Sequence, residues 1–188
     1  MGCWVLFVDM KKLMTPALFL DRDGTLIVEK HYLRTPEGVE LVPGVSDALR
    51  LAKEHGFLLV VVTNQAGIGR GIYTLEDYLA VEARVNELFE ADGIVMDGTY
   101  YCPHHPDHGC WCRKPAPGML EQAVAELGID IANSVMIGDR ETDILAGKNA
   151  GVGRTVLVKT GHGENEAATT SADFVACDIL EAALNVIK

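Results

Sequence analysis

The chain has 188 residues, of which 48% are apolar and 23% charged. That is the size and make-up of one globular domain and excludes a disordered or fibrous chain; at this length roughly 70% of the unfolded surface is buried, so a core needs no disulfides. Sixteen Lys and Arg against 27 Asp and Glu leave a formal charge of −11, a poor electrostatic match for nucleic acid or an anionic membrane, though a local site for a small anion stays compatible with it.

No basic start, long apolar stretch or small-residue cleavage site marks an export signal. The longest early apolar run, Cys3 to Val8, is far short of a spanning helix. After Gly2, position 6 is Leu where a myristoylation signal needs Ser or Thr. A cytoplasmic location is expected. Residues 1–16 read as an N-terminal extension, with Met10 and Met14 as alternative starts or with Cys3–Val8 as an edge strand.

From residue 17 the chain alternates short apolar runs with helical stretches. Ala17–Asp21 is an apolar run ending at a carboxylate. Gly44–His55 places Val45, Ala48, Leu49 and Ala52 at helical spacing and stops at Gly56. Phe57–Val62 is continuously apolar, as in a strand buried on both faces. Thr74, with Asp77 three residues on, opens a helix that runs to about Ala91. Tyr100 and Tyr101 end a short strand, and Pro117–Leu127 is helical up to Gly128. Val135–Ile137 is a strand running into Gly138-Asp139, followed by a helix over 141–150. Thr155–Val158 and Phe174–Ala176 are late strands, and Ile179–Ile187 is a closing helix. Residues 159–172, small and polar, are expected to form a mobile loop. This alternation predicts a mainly parallel sheet with helices on both faces, a single α/β domain over 17–188 without repeats or linkers.

Ligands of such sheets bind beyond the carboxyl ends of the strands, which directs attention to Asp21 and Asp23, Thr63 and Asn64, Asp139 and Asp143, with Lys114 able to join them. In Asp21-Arg22-Asp23-Gly24-Thr25 two carboxylates at a strand end can divide labour, one attacking an electrophile and the other handling a leaving-group proton. Gly24 allows the sharp bend that follows. Bringing Asp21, Asp23 and Asp139 together creates repulsion that a cation must relieve, and oxygen-only ligands point to Mg²⁺. Thr63 adds a hydroxyl donor and Lys114 a positive charge, both suited to a transferring phosphoryl group. Asp-x-Asp-Gly alone also occurs in calcium loops and turns; the ordered set is what is specific.

Cys102-x-His104-x₅-Cys110-x-Cys112 offers three sulfurs and an imidazole within eleven residues, the donor set of a closed, structural Cys₃His zinc site. His105 or His108 could replace His104 on sequence alone, and a redox-active thiol cluster is the alternative. An odd count of five cysteines without an export signal argues against a disulfide framework. The loop ends at Arg113-Lys114, which a metal would hold in place. Trp111 reads as a loop anchor, Cys177 as a small buried apolar residue, and His31 and His55 as surface residues. Gly67-Ile68-Gly69 follows Thr-Asn-Gln and opens no dinucleotide crossover.

The carboxylate set, together with Thr63-Asn64-Gln65-Ala66-Gly67-Ile68, Gly69-Arg70-Gly71, Tyr101-Cys102-Pro103-His104-His105-Pro106 and Cys112 to Leu120, resembles the haloacid dehalogenase-like (HAD) superfamily of phosphohydrolases from about Ala17 to Gly151. Within it the segments resemble the heptose 1,7-bisphosphate 7-phosphatase family, with histidinol-phosphate phosphatases as the nearest relatives; Gly69-Arg70-Gly71 and Pro117-Gly118-Met119-Leu120 favour the heptose enzymes. The resemblance implies a Rossmann-like fold with a minimal, flap-like cap and removal of the 7-phosphate of heptose bisphosphate through an aspartyl-phosphate. It makes Asp21 the nucleophile, Asp23 the acid and base, and Thr63 and Lys114 the phosphoryl stabilisers. It gives Mg²⁺ to Asp21, Asp139 and the Asp23 carbonyl, and Zn²⁺ to Cys102, His104, Cys110 and Cys112, with Asp143 orienting Lys114 or the metal shell. Substrate contacts fall to Glu29, Lys30, His31 and Tyr32 on the flap, to Asn64, Gln65 and Ala66, and to Arg113 and Arg140. Ala66 stands where the family often has Ser, leaving only a backbone contact there. The expected partner is a small phosphorylated sugar acted on by a monomer, without nucleic acid or membrane. A non-enzymatic phospho-receiver is the alternative of another class, which Asp23 opposes because it speeds turnover. A polynucleotide end phosphatase is opposed by the charge.

Overall fold

The computed structural model describes residues 14–187, so the edge strand considered for Cys3–Val8 lies outside the described residues. Six strands form one parallel sheet: β1 (Ala17–Leu20), β2 (Leu58–Asn64), β3 (Gly98–Cys102), β4 (Val135–Gly138), β5 (Arg154–Val158) and β6 (Phe174–Ala176), in the order β3-β2-β1-β4-β5-β6. Between and after them lie α1 (Val45–Glu54), α2 (Ala66–Gly69), α3 (Leu75–Ala91), α4 (Gly118–Leu127), α5 (Glu141–Ala150), α6 (Gly163–Glu166) and α7 (Ile179–Val186).

Successive strand residues point to opposite faces, and each central strand divides its side chains between two cores. Leu18, Leu20, Val61 and Ile137 pack under α1, α3 and α7, against residues such as Leu49, Phe89 and Ile179. Phe19, Val60, Val62 and Met136 pack under α4 and α5, against Met119, Leu120 and Ala146. This two-sided burial is why the strands read as unbroken apolar runs. The helix ends follow local chemistry: Thr74 Oγ1 accepts from the Asp77 amide at 3.1 Å while Asp77 Oδ2 accepts from the Thr74 amide at 2.8 Å, a reciprocal cap at the start of α3.

Register places the site. Leu20 pairs with Val61 on one side and with Ile137 on the other. The residues that follow, Asp21 to Asp23, Thr63 to Gln65, and Asp139, therefore emerge together at one edge. The chain leaves β1 first toward β2 and β3 and later toward β4, so this edge is the topological switch point of the sheet. β2 runs two residues past the expected Val62, because Thr63 and Asn64 still pair with Tyr101 and Cys102 of β3.

Two expectations are corrected. The segment 159–172 is not a free loop: it contains α6, and its small residues are tied down. The Thr170 and Ser171 hydroxyls each donate to the Glu141 carboxylate at 2.6 Å, and the Lys159 amide donates to the Ala176 carbonyl at 2.9 Å. Cys177 is exposed, because it lies just beyond β6 at the approach to α7. Among the described residues no helix is long and apolar enough to cross a membrane.

Candidate active site and metal centres

A cavity of about 490 Å³ opens at this edge, walled by Asp21, Asp23, Thr63 and Lys114 from the strand ends and by Glu29, His31 and Tyr32 from the segment between β1 and α1. Asn64, Gln65, Ala66, Arg113 and Arg140 complete the expected set. Lys30 is the exception among the expected residues. His31 and Tyr32 turn through left-handed backbone (φ 45° and 59°), and Lys30 instead pairs with Glu40 at 3.0 Å outside the cavity wall.

Lys114, 2% exposed, is the electrostatic centre. Its ammonium donates to Asp21 Oδ1 at 2.6 Å and to the Val62 carbonyl at 2.6 Å, and lies 2.8 Å from Asp143 Oδ1. Burial alone would pull its pKa down, but the fields of Asp143 and Asp21 outweigh that and hold it raised. Asn64 grips the Lys114 backbone at both ends, accepting from its amide at 3.0 Å and donating to its carbonyl at 3.1 Å. Both ends of the Asn64 amide are thus engaged within the chain.

Asp21, Asp139 and Asp143 are all buried and bring a carboxylate oxygen each to within 4.8 Å of one another. One ammonium faces three carboxylates. Burial pushes the Asp21 carboxyl well up; Lys114 opposes this and Asp143, Asp139 and Asp23 reinforce it. Burial, then Asp143, pushes Asp139 up to about 7. Asp139 Oδ1 is buried with no hydrogen-bond partner among the described residues. A surplus of negative charge, oxygen-only donors and an orphaned carboxylate oxygen fit a hard divalent cation such as Mg²⁺.

Asp23 is held from behind. Arg22 reaches Asp23 Oδ2 through Nη2 at 3.0 Å, and Gln65 Nε2 donates to the same oxygen at 2.9 Å and to Thr63 Oγ1 at 2.8 Å. Gln65 is fixed in turn by the Tyr73 hydroxyl, which donates to its Oε1 at 2.6 Å. Arg22, 1% exposed, also meets Glu82 at 3.4 Å and lies 5.2 Å from the centroid of the Tyr78 ring. Its burial works against the charge, and Asp23 and Glu82 more than offset it. Arg22, Glu82, Arg70, Tyr73 and Thr142 are site or supporting residues that sequence reasoning missed. Arg22 and Arg70 stood inside quoted motifs, whereas Glu82 and Tyr73 carried no signal because only the fold brings them near.

The second cluster joins Cys102 at the end of β3 to the loop that follows. Cys102 Sγ lies 3.6 Å from His104 Nδ1 and 3.5 Å from Cys110 Sγ, and Cys112 Sγ lies 3.3, 3.3 and 3.4 Å from His104 Nδ1, Cys102 Sγ and Cys110 Sγ. Five edges of nearly equal length define a compact tetrahedron of three sulfurs and one nitrogen. Burial holds the Cys112 thiol at about 12 and the Cys102 thiol raised, which a bound cation would reverse. His104 is in the cluster. The His108 ring stacks on it at 5.2 Å, and His105 accepts from the Asp107 amide. The loop packs hard on α2: a side chain at Gly69 would come 2.3 Å from the His105 amide nitrogen. Trp111, 61% exposed, anchors the far side, its ring over Gly118. Cys112 leads directly into Arg113, whose Nη1 is buried without a partner among the described residues, and Lys114.

A parallel switch-point sheet with paired carboxylates and a buried lysine at one edge is the architecture of a HAD-like hydrolase, and residues 111–182 match the HAD-hydrolase-like family model. D-glycero-β-D-manno-heptose-1,7-bisphosphate 7-phosphatase of Yersinia pestis is 45% identical over 167 residues, covering 85% of this chain and 89% of that protein. The enzyme of the same name from Escherichia coli K12 is 44% identical, covering 85% and 87%. The crystal structure of D,D-heptose 1,7-bisphosphate phosphatase from B. bronchiseptica, complexed with magnesium and phosphate, superposes with a TM-score of 0.85 at 29% identity, covering 91% of this chain and 97% of that one. The chain belongs to this family of heptose bisphosphate phosphatases, which are phosphoric monoester hydrolases.

The buried Arg22–Glu82 pair yields a stability prediction. Glu82→Ala removes one of the two carboxylates facing a buried guanidinium, and losing a partner of a buried pair costs about 3 kcal/mol or more. Chemical denaturation measures it; a loss below about 1 kcal/mol shows that Asp23 alone suffices for Arg22.

Proposed function

We propose that the chain hydrolyses the 7-phosphate of D-glycero-β-D-manno-heptose 1,7-bisphosphate through an aspartyl-phosphate on Asp21, and that the residues above divide this work. The observation that carries the reading is the contact of Asp21 Oδ1 with Lys114 Nζ at 2.6 Å, at the strand end that faces the cavity. The ammonium holds the carboxylate in place at the edge where an incoming phosphate ester lands. The same cation, with the Thr63 hydroxyl, is placed to meet the phosphoryl oxygens. Asp21 attacks phosphorus, and Asp23 gives its proton to the departing sugar oxygen. Asp23 then takes a proton from the water that attacks the phospho-aspartate. Gln65 links Asp23 to Thr63 and so keeps acid and phosphoryl contact in register.

Asp21, Asp139 and the Asp23 carbonyl would hold Mg²⁺, with Asp143 bracing both Lys114 and the shell. When bound, the ion supplies charge neutralisation for the phosphoryl group and for the carboxylates. The tetrahedron of Cys102, His104, Cys110 and Cys112 would hold Zn²⁺, closed and structural. Arg113, with an unpartnered buried nitrogen, and Arg140 face the cavity as contacts for the sugar and its second phosphate. The flap contributes Glu29, His31 and Tyr32, and Ala66 contributes backbone. In this reading residues 17–188 form one phosphatase domain, and one chain suffices because its own residues wall the cavity. A cytoplasmic location belongs to the same reading.

Asp21→Asn should abolish phosphate release while leaving the melting temperature near that of the unmodified chain. The assay is phosphate release over a panel of both heptose bisphosphate anomers, histidinol phosphate and fructose bisphosphate. The heptose β-anomer should be preferred; a preference for histidinol phosphate, or turnover by Asp21→Asn, overturns the proposal.

Arg113→Lys should raise KM for heptose bisphosphate by about tenfold or more, since an ammonium cannot reproduce a two-pronged charge-assisted contact. It should change hydrolysis of p-nitrophenyl phosphate far less. An equal fall in kcat on both substrates would place Arg113 in the chemistry.

Zinc should copurify at one ion per chain, read by elemental analysis of reduced protein. Cys110→Ser should lower both the melting temperature and kcat, because Arg113 and Lys114 follow the cluster directly. Reduced protein free of zinc yet fully active would sink the assignment.

A further inference from the structure

We infer that Thr160, Gly161 and the His162 amide form a positioning brace for Asp139, so that the segment after β5 sets the geometry of the Mg²⁺ site; this rests on the metal assignment proposed above.

Three contacts converge on one carboxylate oxygen. The His162 amide donates to Asp139 Oδ2 at 2.8 Å. Gly24, from the bend after β1, and Gly161, from the segment after β5, approach that oxygen from two loops: a side chain on Gly24 would come 2.3 Å from it and one on Gly161 2.2 Å. The two loops are fastened to each other, for the Thr160 hydroxyl donates to the Gly24 carbonyl at 2.6 Å. Gly161 sits at φ +56°, which favours glycine on its own account.

The brace divides the carboxylate. Oδ2 is committed to a backbone amide, and Oδ1, buried, has no partner among the described residues. A carboxylate free to rotate could turn either oxygen toward Asp21 and Asp143. One fastened at Oδ2 keeps Oδ1 available for a cation at a fixed bearing, and outer contacts of this kind orient metal ligands. The brace is itself anchored. Gly163 packs so closely on the Val158 carbonyl that no side chain fits. Glu166 accepts from the Glu141 amide at the start of α5, the helix that carries Asp143. The brace therefore joins β5 to the same helix that supplies the third carboxylate.

The test uses the full chain, zinc-replete and free of magnesium. Mn²⁺ binding is counted by electron paramagnetic resonance and displaced with Mg²⁺, and thermal melting is recorded without divalent ions. Gly161→Ala should weaken Mg²⁺ binding by about tenfold or more, the range for losing an outer contact to a ligand. Thr160→Val should weaken it in the same direction by a smaller factor, with zinc content unchanged and the metal-free melting temperature close to that of the unmodified chain. A role in folding alone would move the melting temperature and leave metal affinity intact. If Gly161→Ala fails to fold, Thr160→Val decides: Mg²⁺ affinity equal to that of the unmodified chain overturns the brace. An unmodified chain that binds neither ion overturns the metal assignment itself, an outcome distinct from loss confined to the variants.

Discussion

Like charge, crowded and buried, is the constraint around which this molecule is built. Asp21, Asp139 and Asp143 hold oxygens within 4.8 Å of one another. Two unit charges at that separation repel by roughly 3 kcal/mol at an effective dielectric of about 20. A fold that leaves these groups unbalanced would keep them protonated, and the raised pKa values of Asp21 and Asp139 show the direction of that pull. Lys114 answers part of the charge, and its contact with two of the three carboxylates explains why it is buried almost completely. The remainder calls for a second cation. Lysine and the proposed metal ion would thus be two halves of one electrostatic solution, each needing to be placed with little freedom.

That lack of freedom comes from strand register and from side-chain hydrogen bonds together. The strands deliver Asp21, Thr63 and Asp139 to a common edge by register alone. Past that edge no ladder continues, and contacts from separate loops take over. Asn64 clasps the main chain of Lys114, Gln65 ties Thr63 to Asp23, and Arg22 fixes Asp23 from the interior. Each of these groups has its polar atoms engaged, which is what keeps a polar site from relaxing.

How much of this could be read from the chain depended on whether the cause was local. Apolar runs such as 57–62 and the Thr74–Asp77 cap are local features, and the sheet and the cap of α3 were legible from them. The carboxylate motifs were visible, but the side chain that joins Asp21 and Asp139 is that of Asp143, not the expected Asp23. Arg22 could be seen but not interpreted, since its partner Glu82 lies 60 residues away on α3. The 159–172 segment misled because small polar residues look the same whether their hydroxyls face water or a carboxylate. Here Thr170 and Ser171 face Glu141. Lys30 was not separable from its neighbours in the sequence: Glu29, His31 and Tyr32 line the cavity, while the Lys30 ammonium pairs with Glu40.

The soft-ligand cluster follows from the same need for placement. Between Cys102 and the start of α4 the described chain has only a three-residue helical turn, Pro106–His108. Such a segment has no ladder of its own to carry Arg113 and Lys114 to a buried address. A cation held by these four side chains, as proposed above, would cross-link it at Cys102, which belongs to β3, and at Cys112, one residue before Arg113. The close contact of Gly69 with the loop backbone then passes that rigidity to α2 and the residues after Thr63. The segment after β5 holds Asp139 and the bend after β1 with amide and hydroxyl contacts, and β5 and α5 already stand behind it. Where regular structure is near, hydrogen bonds suffice to fix a charged group; where it is absent, a metal-ligand cage of the kind proposed here would take its place.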